Sequence, residues 1–233
     1  MGGRGSELED WLGVYERVAA VERSRGRSPR LGPVFEPALT FEQIEEVEAE
    51  AGISLPDEYA AFLAEVGSGG PGPDLELTTL CQVDGRWAWV WTAANYPQIP
   101  DASGPFLEND EWVGHQIATL RAAGGEPTVR DSHSDYLGDY RRVFGEVEGT
   151  RLFAEGRFRG AIQISDNGCG MTSWLVLEGP HRGEIWFRDC APNPPLEPLL
   201  NEAGEPHGFY SWYIDWLERR EEEYGLRQGE PGW

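Results

Sequence analysis

Between residues 158 and 188 the sequence alternates three apolar segments with two short turns. The segments are Phe158 to Ser165, Thr172 to Glu178 and Gly183 to Arg188. The first turn contains Asn167-Gly168, and Asn-Gly is the strongest short-range hairpin signal because both residues tolerate a left-handed backbone. The pattern therefore predicts an antiparallel three-stranded meander.

Helical patterns precede and follow this meander. A capping box at Thr40 and Gln43 opens a helix whose apolar stripe begins with Phe41. Pro56 opens the next helix, and a dense aromatic face marks a last helix from about residue 209 to 224. Helices flanking antiparallel strands predict an α+β fold with a mostly antiparallel sheet.

The charge of the chain bears on its partners. Its 233 residues carry 41 acidic and 19 basic side chains, a formal net charge of −22. A surface this acidic repels phosphates, so nucleic acid is not expected as a direct ligand. It favours a basic protein partner, although solubility alone also accounts for the charge. No apolar run is long enough for a membrane span or a secretory signal, so we expect a cytoplasmic protein without membrane contact.

The N-terminal segment differs in charge from the rest of the chain. Residues 1–35 contain six arginines and five acidic residues, so the negative charge lies beyond them. A capping box at Ser6 and Glu9 and the apolar spacing predict a helix from about residue 7 to 23, followed by prolines and glycines. We interpret residues 1–35 as a helical extension with a linker, and expect the remaining chain to fold without them.

A row of tryptophans marks one predicted strand. Trp87, Trp89 and Trp91 lie on one face of that strand by strict alternation. Such a row forms either a stacking platform for a sugar or a base, or a buried face in a core or interface. Burial is the simpler interpretation because it requires no ligand.

The residue types that enzymes use are scattered along the sequence. The four histidines occur singly, and no serine stands in a nucleophile motif. Cys169 and His181 lie in turns at opposite ends of the predicted middle strand, too far apart for a catalytic dyad. Together with Cys81 and Cys190, Cys169 lacks a zinc-binding spacing and is interpreted as a reduced thiol. We therefore expect no enzyme, no catalytic residue, no cofactor and no metal ion.

Five segments, in this order, are similar to a known group of proteins. They are Ile53 to Leu63, the loop Gly67 to Pro73, Ser165 to Gly170, Leu175 to Gly179 with Gly183 to Trp186, and Phe209 to Leu217. Together they resemble the SUKH superfamily (the Smi/Knr type) over roughly residues 38 to 220. The resemblance implies an α+β fold and a binding role. Many bacterial members are immunity proteins that neutralise polymorphic or contact-dependent toxins, often nucleases, and fungal relatives regulate cell-wall synthesis.

The resemblance also suggests how the chain is divided and what it does. Residues 36–224 are expected to form a SUKH-like domain with an enlarged middle segment (81–155), followed by a tail (225–233). We expect a non-enzymatic immunity protein that binds and neutralises a basic toxin domain. The alternatives are a regulatory scaffold of the Smi/Knr type, related to the cell wall or signalling, and a hydrolase with an unrecognised site.

Four residues are the candidate partner contacts. Trp186 and Asp189 lie at the end of the third meander strand, and Asp57 and Glu58 lie in the first turn of the helix after Pro56. Aromatic side chains anchor interfaces, and acidic ones accelerate the encounter with a basic target. Core packing is the alternative for Trp186. The sequence does not indicate an oligomeric state.

Overall fold

A computed structural model describes residues 11, 13–28, 32–73, 75–91, 96–128, 136–154, 156–190 and 195–226. Within these residues the chain forms seven helices and two antiparallel sheets. The predicted α+β fold with a mostly antiparallel sheet is therefore confirmed.

The helices and strands follow one another along the whole described chain. The helices are α1 (Val14–Ser24), α2 (Phe41–Ala51), α3 (Asp57–Glu65), α4 (Asn109–Ala122), α5 (Tyr136–Phe144), α6 (Glu146–Ala154) and α7 (Phe209–Glu223). The strands are β1 (Glu76–Leu77), β2 (Thr79–Val83), β3 (Arg86–Trp91), β4 (Tyr96–Gln98), β5 (Ala161–Gly168), β6 (Met171–Val176), β7 (Ile185–Arg188) and β8 (Leu196–Pro198). The larger sheet has the order β1-β5-β6-β7-β8 and the smaller one the order β2-β3-β4.

The predicted meander consists of β5, β6 and β7, but its first turn lies later than Asn167-Gly168. Gly168 pairs with Met171, so the chain reverses at Cys169-Gly170. These two residues have φ angles of 53° and 85°, and a two-residue hairpin turn favours such positive values. Asn167 belongs to β5 instead. The difference arises because a second turn-forming pair overlaps the Asn-Gly signal, and the pairing of the strands selects between the two.

The main core lies between one face of the larger sheet and helices α1, α2, α3 and α7. Ile162, Leu175 and Ile185 of adjacent strands project from this face and are almost fully buried. They share one hydrophobic cluster with Phe62 of α3 and Tyr213 of α7. We call this side of the sheet the helical face.

Helix α1 is part of the main core. Trp11, just before the helix, is 3% exposed, and its ring centroid lies 5.2 Å from Phe62 and 4.9 Å from Tyr210. Arg17 donates two hydrogen bonds of 2.8 and 2.9 Å to the carboxylate of Glu221 in α7. The described part of the N-terminal segment is thus packed onto the rest of the chain.

Two expectations for the chain ends stay open. The capping box predicted at Ser6 and Glu9 lies outside the described residues, as does most of the predicted tail (225–233). The boundary proposed at residue 35 stays a prediction.

The middle segment (81–155) supplies β3, β4 and three helices. Helices α4, α5 and α6 share a small core of their own, formed by Trp112, Leu120, Tyr136, Tyr140 and Phe153. This small core is separate from the main core.

The start of α4 is tied to the larger sheet. The Asn109 side chain donates to the carbonyl of Leu196 at 2.7 Å and accepts from its backbone N–H at 3.0 Å. Glu108 precedes the helix, and the side chain of Glu111 accepts its backbone N–H at 3.3 Å. The amide of Asn109 is used across the fold instead.

The glycine-rich loop from 67 to 73 is explained by close packing. A Cβ atom at Gly67 would lie 2.6 Å from the carbonyl oxygen of Glu36, and one at Gly69 would lie 2.4 Å from Oγ1 of Thr79. No side chain fits at either distance, so the loop requires glycine where it passes against its neighbours.

Two aromatic expectations have different outcomes. Trp87 and Trp89 lie in the main core, and the Trp89 indole donates a 2.9 Å hydrogen bond to the hydroxyl of Tyr59. Core burial is confirmed for this pair, whereas Trp91 at the end of β3 is partly exposed.

Phe41, expected to face inward, is 74% exposed. It is the first residue of α2, and the buried stripe begins one turn later at Ile44.

Candidate partner-binding groove

The second face of the larger sheet carries a different set of side chains. Because side chains alternate along a strand, Trp186 and Arg188 share one face of β7, opposite to Ile185. In the register of the sheet, Trp174 pairs with Trp186 and Thr172 pairs with Arg188. The face away from the main core thus presents two adjacent rows of aromatic and polar side chains. We call it the groove face.

Part of this face forms the floor of a cavity of about 510 Å³. One wall comes from the end of β3 and from residues 97–101, which follow β3 in the middle segment. Trp91 and Asp101 line the cavity on the wall side, and Phe158, Thr172, Trp174 and Arg188 also line it. We call this cavity the groove.

Two stacked aromatic rings stiffen the floor of the groove. The rings of Phe158 and Trp174 are parallel within 6°, with centroids 3.9 Å apart. The Trp174 indole N–H donates to Oγ1 of Thr172 at 2.9 Å, so its polar atom is satisfied. A rigid aromatic surface with a satisfied polar edge suits a binding site, because little side-chain freedom is lost on contact.

Arg188 places a positive charge in the groove. It is half-buried, and its guanidinium donates one long hydrogen bond of 3.4 Å to the carbonyl of Gly170. Among the described residues it has no ion pair. A second arginine, Arg157, is 8% exposed and lies over the ring of Trp112 at 4.1 Å. Burial, and then the charge of Arg188, lower the pKa of Arg157 to about 10.

Beyond the groove, the same sheet face is closed by packing. Trp186 is 3% exposed, with its ring 4.9 Å from Phe106 and 5.2 Å from His181. Its indole N–H donates to the carboxylate of Glu184 at 3.1 Å. Trp186 therefore supports the groove face from inside and does not present its ring to solvent.

His181 links two carboxylates at this closed end. Its Nδ1 lies 3.0 Å from Glu184 and its Nε2 lies 2.8 Å from Glu108. Burial lowers the pKa of His181, but the hydrogen bonds to both glutamates outweigh burial and raise it above its ordinary value. Cys169 is not part of this group, since it lies in the turn between β5 and β6.

The sequence-predicted contacts are spread over two sides of the molecule. Asp189 is exposed next to Arg188, and its carboxylate accepts the backbone N–H of Cys190 at 2.6 Å. Asp57 is exposed and Glu58 half-buried at the start of α3, in the helical layer. The fold thus places Trp186 in β7 and Asp189 directly after the end of this strand, and leaves the other two acids in the helical layer.

Sequence reasoning did not select the residues that line the groove. Thr172 and Trp174 stand two residues apart, as do Trp186 and Arg188, so alternation alone places each pair on one face. The missing information was the register between the two strands and the position of residues 97–101. Both depend on contacts between segments that are distant in the sequence.

Among the described residues, no group of three or more His, Cys, Asp and Glu side chains lies in position to hold a metal ion. Cys81, Cys169 and Cys190 are free thiols. No described helix combines the length and apolarity needed to cross a membrane.

These observations define an α+β domain with a helical layer on one face of an antiparallel sheet and a groove on the other. Residues 38–219 match the SMI1 / KNR4 family (SUKH-1), and the chain belongs to this family. The resemblance to the SUKH superfamily is thereby confirmed. A search of curated proteins and one of solved structures each found no match. Membership suggests a role in protein–protein interaction.

Proposed function

We propose that this protein is a non-catalytic immunity protein that neutralises a toxin by binding it directly. The observation that carries the proposal is the groove, an aromatic cavity of about 510 Å³ on a rigid sheet face of a SUKH-family domain. Partly exposed aromatic side chains in a preformed cavity are the usual anchors of protein interfaces.

The charge of the chain supports a basic toxin domain as the partner. A net charge of −22 attracts a basic protein from a distance and raises its association rate. Asp189, exposed and next to Arg188 in the chain, is the acid that we propose to face the partner. Neither nucleic acid nor a membrane is part of this proposal, and we place the encounter in the cytoplasm.

The middle segment (81–155) has a defined place in this proposal. Trp91 and residues 97–101 form one wall of the groove, while the sheet forms its floor. The wall belongs to a segment outside the meander, so its residues can change without altering the strands of the floor. We therefore propose that it determines which partner is bound.

Growth rescue tests the proposal. The protein is co-expressed with the toxin domain encoded in the neighbouring reading frame, and survival of the cells is scored. We expect rescue by the natural protein and its loss in Trp91→Ala, which removes a groove aromatic. Phe41→Ala is the matched control, because Phe41 is an exposed aromatic in the helical layer.

Binding kinetics supply a second test. The association rate should fall by about tenfold or more from low to high salt, while dissociation changes much less. Asp189→Arg should slow association more than Asp57→Arg does. Failure to neutralise any neighbouring toxin would favour the regulatory scaffold.

A further inference from the structure

We propose that the groove binds a carboxylate of the partner through Arg188. An apolar or aromatic side chain of the partner lies next to this carboxylate. This inference rests on the proposed function and names the chemistry that the same groove accepts. The occupant is a segment of a basic protein partner with an Asp or Glu beside an apolar residue.

Arg188 has unused hydrogen-bond donors. A guanidinium has five N–H donors, and this one makes a single long hydrogen bond, to Gly170. The side chain is half-buried in the groove and this hydrogen bond is exposed, so the remaining donors are accessible to a ligand. A carboxylate matches the planar fork of arginine with two parallel hydrogen bonds.

The electrostatic surroundings of Arg188 contain a second arginine. The charge of Arg188 lowers the pKa of Arg157, so the two guanidinium groups lie within electrostatic range of one another. Asp101 also lines the cavity, but its carboxylate accepts the backbone N–H of Ser103 at 2.9 Å and is exposed. Arg188 therefore has no acidic partner among the described residues.

The net charge of the chain and the aromatic rings beside Arg188 indicate what the rest of the ligand is. A free anion is repelled at long range by the net charge of −22, so a carboxylate on a basic protein is favoured over an isolated one. The stacked Phe158 and Trp174 provide an apolar surface beside Arg188 for the neighbouring side chain. The acidic chain attracts a basic protein at long range, whereas Arg188 binds a negative group of that protein locally. A basic protein without a carboxylate at this position lacks the local contact, so most basic proteins are selected against.

The test with the partner compares two charge-matched variants. Arg188→Gln removes the groove cation, and Arg219→Gln removes an exposed arginine of α7 in the helical layer. With the toxin domain, we expect Arg188→Gln to raise the dissociation rate by about tenfold or more, with little change in association. Arg188→Lys should lie between, since it keeps the charge and loses the fork. Arg219→Gln should bind like the natural protein.

A second measurement needs no toxin. Indole-3-acetate and indole-3-acetamide have the same ring and differ in one negative charge. Their binding is followed by NMR through the indole N–H signals of Trp91 and Trp174. We expect the acetate to bind at least about tenfold more tightly than the amide, and Arg188→Gln to abolish this difference while unfolding at the same temperature.

The outcomes separate this inference from the proposed function. Equal binding of the two probes, or an unchanged toxin complex in Arg188→Gln, overturns the inference even if rescue succeeds. If rescue fails while the acetate preference depends on Arg188, the proposed toxin is wrong and the carboxylate site stands.

Discussion

Asp57 and Glu58 are neighbouring acids with different surroundings. Helix α7 begins after Gly208, which has no side chain to cap it. Glu58 of α3 performs this function across the fold, because its carboxylate accepts the backbone N–H of Tyr210 at 2.9 Å. A Cβ atom at Gly208 would lie 2.8 Å from this carboxylate, so the glycine makes room for it. Asp57 is exposed instead.

We predict that Glu58→Ala lowers the free energy of unfolding by about 1 kcal/mol, the usual cost of losing a helix cap. Asp57→Ala, the matched control, should cost less, since it loses only a favourable charge near the start of a helix. Urea denaturation followed by circular dichroism measures both. Equal losses would show that the contact with α7 contributes nothing.

His181 gives a prediction on pH. Its folded-state pKa is raised by Glu108 and Glu184. The stabilisation is therefore fully present below the unfolded pKa, about 6.5, and is lost as the pH rises through the higher folded value. The difference in unfolding free energy between the natural protein and His181→Gln should shrink over this interval. We expect it to stay under about 1 kcal/mol because the group is partly exposed.

His207 is the control of opposite sign. Burial lowers its pKa, partly opposed by Asp215. Protonation then favours the unfolded chain, and stability falls as the pH drops below about 6.5. His207→Gln should weaken that fall. If the difference in unfolding free energy between the natural protein and each variant did not depend on pH, the assignment of these environments would be contradicted.

At the scale of elements, helix α1 changes the expectation for the N-terminal segment. The nearly neutral charge of residues 1–35 and the prolines after the predicted helix suggested a hinged extension, yet Trp11, Val14 and Val18 lie in the main core. Their burial removes apolar surface from water and so stabilises the folded state. A hinged extension would not contribute in this way.

We predict that Trp11→Ala lowers the free energy of unfolding by about 3 to 5 kcal/mol, the range for large aromatic truncations in a core. Deletion of residues 1–28 should cost at least as much. Arg23→Ala, on the exposed side of α1, is the control and should change stability by less than about 0.5 kcal/mol. A deletion variant that unfolds like the natural protein would restore the hinged interpretation.

For the whole molecule, the net charge of −22 also acts on folding. Repulsion among acidic side chains opposes the compact state. Helix α2 is an example, since Glu46 stands four residues from both Glu42 and Glu50, and like charges at this spacing are unfavourable.

We predict that the urea midpoint rises as NaCl increases from about 10 to 150 mM, because the screening length falls to about 8 Å. Glu46→Gln should raise stability at low salt by a few tenths of a kcal/mol and reduce the gain from salt. A midpoint that does not depend on NaCl would show that the acids are already balanced locally.

The sequence by itself determined the features that depend on neighbouring residues. The capping box at Thr40 and Gln43 has the predicted contacts, and the three strands of the meander follow from their alternation. The SUKH motifs likewise could be recognised segment by segment. Caps, turns and strand periodicity act over a few residues, so the local sequence contains the information.

Only the tertiary structure decided which side chains meet. The pairing of Thr172 with Arg188, the cap of α7 by Glu58 and the burial of Trp11 join segments that are far apart in the chain. Burial also withdrew Trp186 from the surface where an anchor was expected. The register between strands and the packing of layers depend on contacts summed over the whole fold. For this reason a local pattern predicted the strands of the groove, and the fold alone placed Arg188 beside its aromatic floor.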